Sequence, residues 1–395
     1  MVKSFEKVIL IVGDGMSEPI PVEPGDQTPL SRAPTRALDY LATVGVSGLI
    51  PVCSAGVIPH SDTGHLAILG FPDLVQARGV FEALGTQFKL EPGDLCGRFN
   101  LGVRSDQIVI DRRGAGCQSE EARKLLEPFV RQEINGVECH LILTSNYRGA
   151  VILRSPIFRQ IQDGQLQGND SKLVGSIIRH CTGSTDPASM AARILNELNE
   201  RFEQRRTDCP LGPNTLLFRD LGVYQPAPIS FLERYGFQGT VISAVAVVRG
   251  VGRFLRMDTI NDPRFTARID SDLSLKITQA LAARTKFVLV NIKATDYASH
   301  QCDPPAKEQA IGRLDQAVAQ LLTPLNLVRT RIIVCSDHCT SSITGEHTAD
   351  PVACTIAGAG IIPDEIRSFD ERSVREGQLN IYTIKDLLSL VFAET

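Results

Sequence analysis

No apolar run in this chain approaches the roughly 20 consecutive residues that a membrane-spanning helix requires, so no membrane segment is expected. A secretory signal is missing too. In the opening stretch MVKSFEKVILIVGDGM the apolar run ends at Val12 and gives way at once to Gly13-Asp14-Gly15. Nor is there an excess of positive charge. Lys and Arg number 41 against 45 Asp and Glu, for a net charge of −4, which leaves no electrostatic footprint for nucleic acid or an anionic membrane. An anionic ligand must therefore be held by locally placed Lys and Arg. The ten cysteines include no Cys-x-x-Cys pair, and without an export signal they read as reduced thiols of a cytoplasmic protein. Cys335 and Cys339 flank Asp337-His338, but Cys335 ends an apolar run and reads as a small buried hydrophobe rather than a zinc ligand. Internal repeats and long low-complexity runs are absent as well.

The 395 residues are more than one compact core usually holds, and they suggest two domains. A hydrophobic content of 43% with 22% charged residues is that of a globular protein. Short β-branched runs alternate with helical patterns. Val8 to Val12, Phe287 to Ile292 and Arg331 to Cys335 are continuously apolar, as expected of strands in a parallel sheet covered on both faces. Helices are expected over Ser271 to Ala282, Glu308 to Leu322 and Tyr382 to Phe392. The middle differs. Gln107 to Asp111, Glu138 to Leu143 and Ala150 to Leu153 read as strands, Ser119 to Gln132 as a helix capped by Ser119, and Arg159 to Ser171 as an exposed loop. This pattern implies an α/β core formed by 1–85 and 259–395, with a central mostly parallel sheet flanked by helices. A smaller α+β domain, 86–258, is inserted into it as a substrate-binding lid.

Each continuous apolar run is followed closely by a carboxylate: Asp14, Asp296 and Asp337. In open α/β sheets, sites lie beyond the carboxyl ends of the strands. Three of the seven histidines join these acids, with His300 four residues after Asp296, His338 beside Asp337, and His347 soon after. A single histidine is more often a satisfied core residue than a ligand; three together, each near an Asp at a strand end, point to transition-metal ligation. Asp296 and Asp337 with the three imidazoles nearly suffice for two divalent ions, and a closely spaced pair of ions suits phosphoryl chemistry. A further cluster is His60-Ser61-Asp62-Thr63-Gly64-His65-Leu-Ala-Ile-Leu. Ser61 reads as the N-cap of a helix, where backbone N–H groups stabilise negative charge. A serine hydroxyl needs a base or a metal to become a good nucleophile, and here a metal is the better physical account. His65 either orients the Ser61 loop or packs. His140 and His180 read as structural. Arg112 and Arg113 end an inserted strand, and Arg249 and Arg253 lie in Val247-Val-Arg-Gly-Val-Gly-Arg253. These four are candidates for holding a carboxylate or phosphate.

The chain resembles the archaeal-type cofactor-independent phosphoglycerate mutases of the alkaline phosphatase superfamily. The resemblance rests on Asp14-Gly15, Ser61 through Gly70, Arg78-Gly-Val-Phe-Glu-Ala-Leu-Gly85, Asp111-Arg112-Arg113, Lys293-Ala-Thr-Asp296 with His300, Asp337-His338 and His347-Thr-Ala-Asp-Pro-Val, in that order along the chain. It implies an alkaline-phosphatase-like core. Ser61 would be the phosphoryl-carrying nucleophile. Asp296, His300 and His347 would hold one metal, and Asp14, Asp337, His338 and Ser61 the other. Lys293 would neutralise charge on the transferring phosphate, and His65 and the four arginines would contact substrate. Mixed His and carboxylate ligation suits manganese, with zinc, cobalt and magnesium as alternatives. The match weakens at Arg154 to Gln165 and at Asn261 to Arg268, where substrate specificity would be set. The implied reaction is interconversion of 3-phosphoglycerate and 2-phosphoglycerate through a phosphoserine. The alternative is a phosphatase or phosphotransferase of the same superfamily acting on another phosphate, phosphonate or homoserine-like substrate. A metal-stabilised scaffold without catalysis is disfavoured by the complete ligand set.

Overall fold

The computed structural model describes residues 5–19, 27–204, 212–379, 381 and 383–393. The chain forms two compact units, Met1–Val75 with Ile229–Thr395, and Gln76–Pro228. The division precedes the expected boundaries at 85 and 258, and local packing explains why. Helix Arg78–Leu84 lies against the strand Leu95–Ser105 so closely that a Cβ on Gly79 would stand 2.4 Å from the Cα of Gly97. The segment after 228 already supplies strands of the first unit's sheet.

That sheet has seven strands: β1 (Lys7–Gly13), β2 (Gly45–Ile50), β3 (Gly239–Ile242), β4 (Asp258–Ile260), β5 (Phe287–Ile292), β6 (Thr330–Cys335) and β7 (Val352–Gly358). Their order is β4-β3-β5-β1-β6-β7-β2. The run from β4 to β6 is parallel, and β7 is antiparallel to both its neighbours. On one face Ile9, Ile11, Val288, Val290, Ile332 and Val334 pack on Ile277 of α3 (Leu273–Ala282) and on Ile311, Leu314 and Val318 of α5 (Pro304–Leu322). The intervening Val8, Leu10 and Val12 are also fully buried. Both faces are therefore covered, which is why these runs are apolar without alternation. Burying each such side chain stabilises the fold by about 1.5–3 kcal/mol.

Several helix ends shift from the expected places for identifiable reasons. In α1 (Ser61–Ile68) the cap position belongs to His60, whose N–H donates to Thr63 Oγ1 at 2.9 Å, so Ser61 is the first helical residue. α3 begins at Leu273 because the Asp272 side chain accepts from Leu275 N. α5 starts earlier than Glu308, at Pro304, with Asp303 as the cap accepting from Ala306 N. Proline is favoured in a first turn, where its missing N–H costs nothing. The helix expected over Ser119 to Gln132 ends at Leu126, before a 3-10 turn containing Pro128, and its cap is Gln118 rather than Ser119. The last helix is Leu387–Phe392 after a 3-10 turn at Ile384–Asp386. Its expected start, Tyr382, lies outside the described residues. Two further helices, α2 (Ala246–Phe254) and α4 (Ala294–His300), follow β3 and β5.

The second unit is an antiparallel sheet in the order Thr215–Val223, Leu95–Ser105, Arg148–Arg154, Val137–Leu143, Gln132–Ile134, with Ile108–Asp111 added to Leu95–Ser105. Helix Asp186–Gln204 covers one face, placing Ala188, Leu195 and Leu198 in a core with Phe99, Leu141 and Val151. The unit is α+β, as its alternating strand pattern implies. Among the described residues no helix is long and apolar enough to cross a membrane.

Candidate metal centre and nucleophile

β1, β5 and β6 are neighbours in the sheet, and the acidic residues that follow them meet at their carboxyl ends. Asp14 follows β1 directly. Gly15 comes next with φ +58°, and its N–H donates to Asp337 Oδ1 at 3.0 Å. A Cβ there would lie 2.5 Å from Thr340 Oγ1 and 2.7 Å from Asp296 Oδ1, so only glycine lets the backbone run between these groups. Gly64 does the same for the nucleophile helix, because a Cβ at that position would stand 2.4 Å from the Asp337 carbonyl oxygen.

The Lys293 ammonium is the hub. Its Nζ lies 2.6 Å from Asp14 Oδ1, 2.7 Å from Asp296 Oδ2 and 3.1 Å from Ser61 Oγ. Burial alone would push both carboxyls up. Lys293 and the imidazoles outweigh it, so Asp14 and Asp296 are held well below the usual carboxylate range. Burial likewise disfavours the Lys293 ammonium, but the charges of Asp14, Asp296 and Asp337 raise it above the ordinary lysine value.

Two groups of side chains have the makings of metal sites: Asp14, Asp337 and His338, and Asp296, His338 and His347. His338 Nδ1 is engaged by Thr340 Oγ1 at 2.9 Å, while its buried Nε2 has no hydrogen-bond partner among the described residues and faces Asp337 Oδ2 at 3.4 Å and Asp14 Oδ1 at 3.5 Å. Asp337 Oδ2 and Asp296 Oδ2 also lack an aligned hydrogen bond, although Lys293 pairs electrostatically with the latter. Buried polar atoms are normally satisfied. A divalent cation satisfies this set: neutral imidazole and carboxylate donors converging within one pocket. His347 Nε2 stands 3.4 Å from Asp296 Oδ1, and the His338 and His347 rings stack at 3.8 Å between centroids. His300 Nε2 is 3.3 Å from both Asp296 Oδ2 and His347 Nε2, so it joins the cluster from the more exposed side. The geometry differs from the expected division of ligands in one respect, since His338 stands close to both carboxylate groups.

The other expected site residues are dispersed. His65, fully buried, sets its Nδ1 2.6 Å from the Ser61 carbonyl oxygen. Arg249 and Arg253 lie on α2, where Arg249 Nη1 donates to the Ser243 carbonyl and Arg253 Nε to Thr259 Oγ1. Arg112 grips Asp170 with two hydrogen bonds, of 2.9 and 2.6 Å. Arg113 is exposed. His140 is satisfied by Val130 O and Glu138, whereas His180, read as structural, is exposed.

Sequence reasoning missed two features. Asn291 donates to Asp14 Oδ2 at 2.9 Å, and the signal for it was a lone polar residue in an otherwise apolar buried strand. The second unit also concentrates arginines. Arg98 and Arg219 sit directly opposite each other on neighbouring strands, an arrangement that normally destabilises a sheet. Glu82 and Asp220 pair with Arg98, and Asp170 and Asp220 with Arg219. Burial lowers both guanidinium pKa values to about 10, with neighbouring arginines adding to the effect. Arg148 stands close enough to Glu82 for their charges to interact, and its Nε has no hydrogen-bond partner. No periodicity in the chain announces this cluster, because antiparallel pairing assembles it.

A layered α/β core with paired carboxylate–imidazole groups at its strand ends defines a metalloenzyme, and a model of the metalloenzyme superfamily matches residues 6–391. Curated relatives extend the match. The 2,3-bisphosphoglycerate-independent phosphoglycerate mutase of Methanoculleus marisnigri is 36% identical, with 98% of this chain and 96% of the relative covered. That of Ignicoccus hospitalis is 34% identical over the same shares. Among solved structures, a cofactor-independent phosphoglycerate mutase from Thermoplasma acidophilum superposes with a TM-score of 0.66 at 27% identity, covering 98% of this chain and 100% of that one. A protein from Pyrococcus horikoshii superposes with a TM-score of 0.82 at 25% identity over 99% of both chains. The chain belongs to the family of 2,3-bisphosphoglycerate-independent phosphoglycerate mutases.

Proposed function

We propose that this chain interconverts 3-phosphoglycerate and 2-phosphoglycerate through a phosphoserine at Ser61, with two manganese ions as its working metals. The observation that carries this reading is the position of Ser61 Oγ, 3.1 Å from a lysine that itself touches Asp14 and Asp296. One metal would be held by Asp14, Asp337, His338 and Ser61, the other by Asp296, His300 and His347, with His338 close to both. Bound divalent ions would lower the pKa of the serine hydroxyl and offset charge on the transferring phosphoryl group.

Ser61 Oγ attacks the phosphorus of 3-phosphoglycerate, the bond from phosphorus to the 3-oxygen breaks, and glycerate is released in place with a proton on that oxygen. Glycerate then turns, its 2-oxygen attacks the phosphoserine, and the Ser61 oxygen leaves and is reprotonated. Lys293 holds a positive charge beside the serine oxygen in both transfers. Water must be excluded, or the phosphoserine hydrolyses and the mutase becomes a phosphatase.

The substrate's anionic groups need cationic partners. Arg113 remains a candidate from the sequence, while Arg112, Arg249 and Arg253 already serve protein acceptors.

The whole reading is tested with manganese-loaded enzyme and 3-phosphoglycerate. Formation of 2-phosphoglycerate, followed by coupling to enolase, should far exceed release of inorganic phosphate. Phosphate release matching substrate consumption would replace the mutase reading with a phosphatase.

A further inference from the structure

Asn291 is the only polar side chain of β5 and is completely buried. Its amide orientation is determined by its surroundings. Val245 N–H donates to Ser243 Oγ at 3.0 Å, which leaves the serine proton to be donated to Asn291 Oδ1 at 2.9 Å. The Nδ2 amino group then points the other way, with one N–H toward Asp14 Oδ2 at 2.9 Å and the second toward His65 Nε2 at 3.4 Å. An Nε2 that accepts places the imidazole proton on Nδ1. That proton lies 2.6 Å, between heavy atoms, from the Ser61 carbonyl oxygen, and Nδ1 is also 3.3 Å from Asp337 Oδ2. The frame is pinned from behind. Lys276 Nζ donates to the Asn291 carbonyl at 2.8 Å, and Arg249 Nη1 to the Ser243 carbonyl at 3.0 Å.

We infer that Asn291 is a positioning residue for this centre: its carboxamide engages Asp14 Oδ2, leaves Asp14 Oδ1 to face the ligand group, and turns a donor to His65 Nε2, complementing the Nδ1–H that the Ser61 carbonyl requires. The inference rests on the reading of Asp14 and Asp337 as metal ligands and of Ser61 as nucleophile. One amide thereby connects a ligand from the end of β1 with the first residue of α1. A buried asparagine that only filled its own hydrogen bonds would leave the Asp14 carboxylate and the His65 ring unaffected by its removal. Groups that orient metal ligands in this way commonly account for a 10- to 100-fold effect on metal affinity or activity.

The test begins with metal-free protein labelled with 15N-histidine, at a pH well above the ordinary imidazole value of about 6.5. His65 should show the Nδ1–H pattern in the native protein. In Asn291→Ala the Nδ1–H should stay, held by the Ser61 carbonyl, while the Nε2 resonance shifts because its donor is lost. Manganese affinity, measured by titration calorimetry, should weaken roughly 10- to 100-fold, and kcat should fall similarly with KM little changed. Ser243→Ala, which frees the amide to rotate without removing it, should show the same Nε2 shift in smaller measure. Native His65 signals and native manganese affinity in a folded Asn291→Ala variant would overturn the inference. If that variant does not fold, the same result in Ser243→Ala overturns it. The Nε2 and affinity shifts do not depend on which phosphate ester is turned over, so an absence of mutase activity alongside them would count against the proposed reaction and not against Asn291.

Discussion

Ser61→Ala is expected to lose mutase turnover by roughly 10⁴-fold or more, the scale seen when a covalent nucleophile is deleted, while binding as much manganese as the native protein. Ser61 is almost fully buried, at the start of α1 rather than at its cap, so its hydroxyl is not committed to the helix backbone and its hydrogen-bond partner is the Lys293 ammonium. Removing one oxygen leaves all six Asp and His ligands in place. The His65 grip on the Ser61 carbonyl also survives, because it uses the main chain. Fold and metal content should therefore be retained, which makes the loss interpretable. Intact-mass measurement after incubation with 3-phosphoglycerate should show a phosphorylated fraction in the native enzyme and none in the variant. Retained turnover, or the same phosphorylation in Ser61→Ala, would remove the serine from the mechanism.

How far this centre could be read beforehand depended on where each residue sits relative to a strand. Asp14, Asp337 and His338 come two or three residues after continuous apolar runs, and Asp296 follows β5 after one further turn. The strand pattern and the ligand types thus located them together. The closeness of His338 to both carboxylate groups was not legible, since it arises from the parallel register of β1 with β5 and β6. His60 took the cap position expected for Ser61, a shift of one residue that composition does not resolve because the contact there joins the His60 main chain to the Thr63 hydroxyl. The compact units divide before 258, and β3 and β4, strands of only four and three residues, carry too little sequence pattern to be told from the insert's strands. The arginine pair Arg98 and Arg219 lies more than a hundred positions apart in the chain and meets only through antiparallel pairing.

Lys293→Met gives the second large effect, and it should appear even without metal. In the metal-free protein the ammonium balances two buried carboxylates, at 2.6 and 2.7 Å, with Asp14 and Asp296 almost entirely shielded from water. Deleting one partner of a buried ion pair typically costs about 3–5 kcal/mol, because the remaining charge stays desolvated. Urea denaturation of metal-free variant and native protein should show a loss of that size near neutral pH. Manganese should recover more stability in the variant than in the native protein, because the ions supply the positive charge that methionine lacks. The dependence on pH follows from the directions of the shifts. Asp14 and Asp296 have folded values below the ordinary range, so their contribution in the native protein is complete above about pH 4 and is lost as pH falls through those values. Lys293 is raised, so its contribution is complete below about pH 10 and is lost only as pH climbs past its folded value. In the variant the two carboxylates lose their main counter-charge and burial raises them instead, so ionising them on the way from acid to neutral pH destabilises the fold. The stability gap between the two proteins should therefore be small in acid and widen toward neutrality. A gap that is absent, or constant across that range, would show that Lys293 does not balance the two carboxylates.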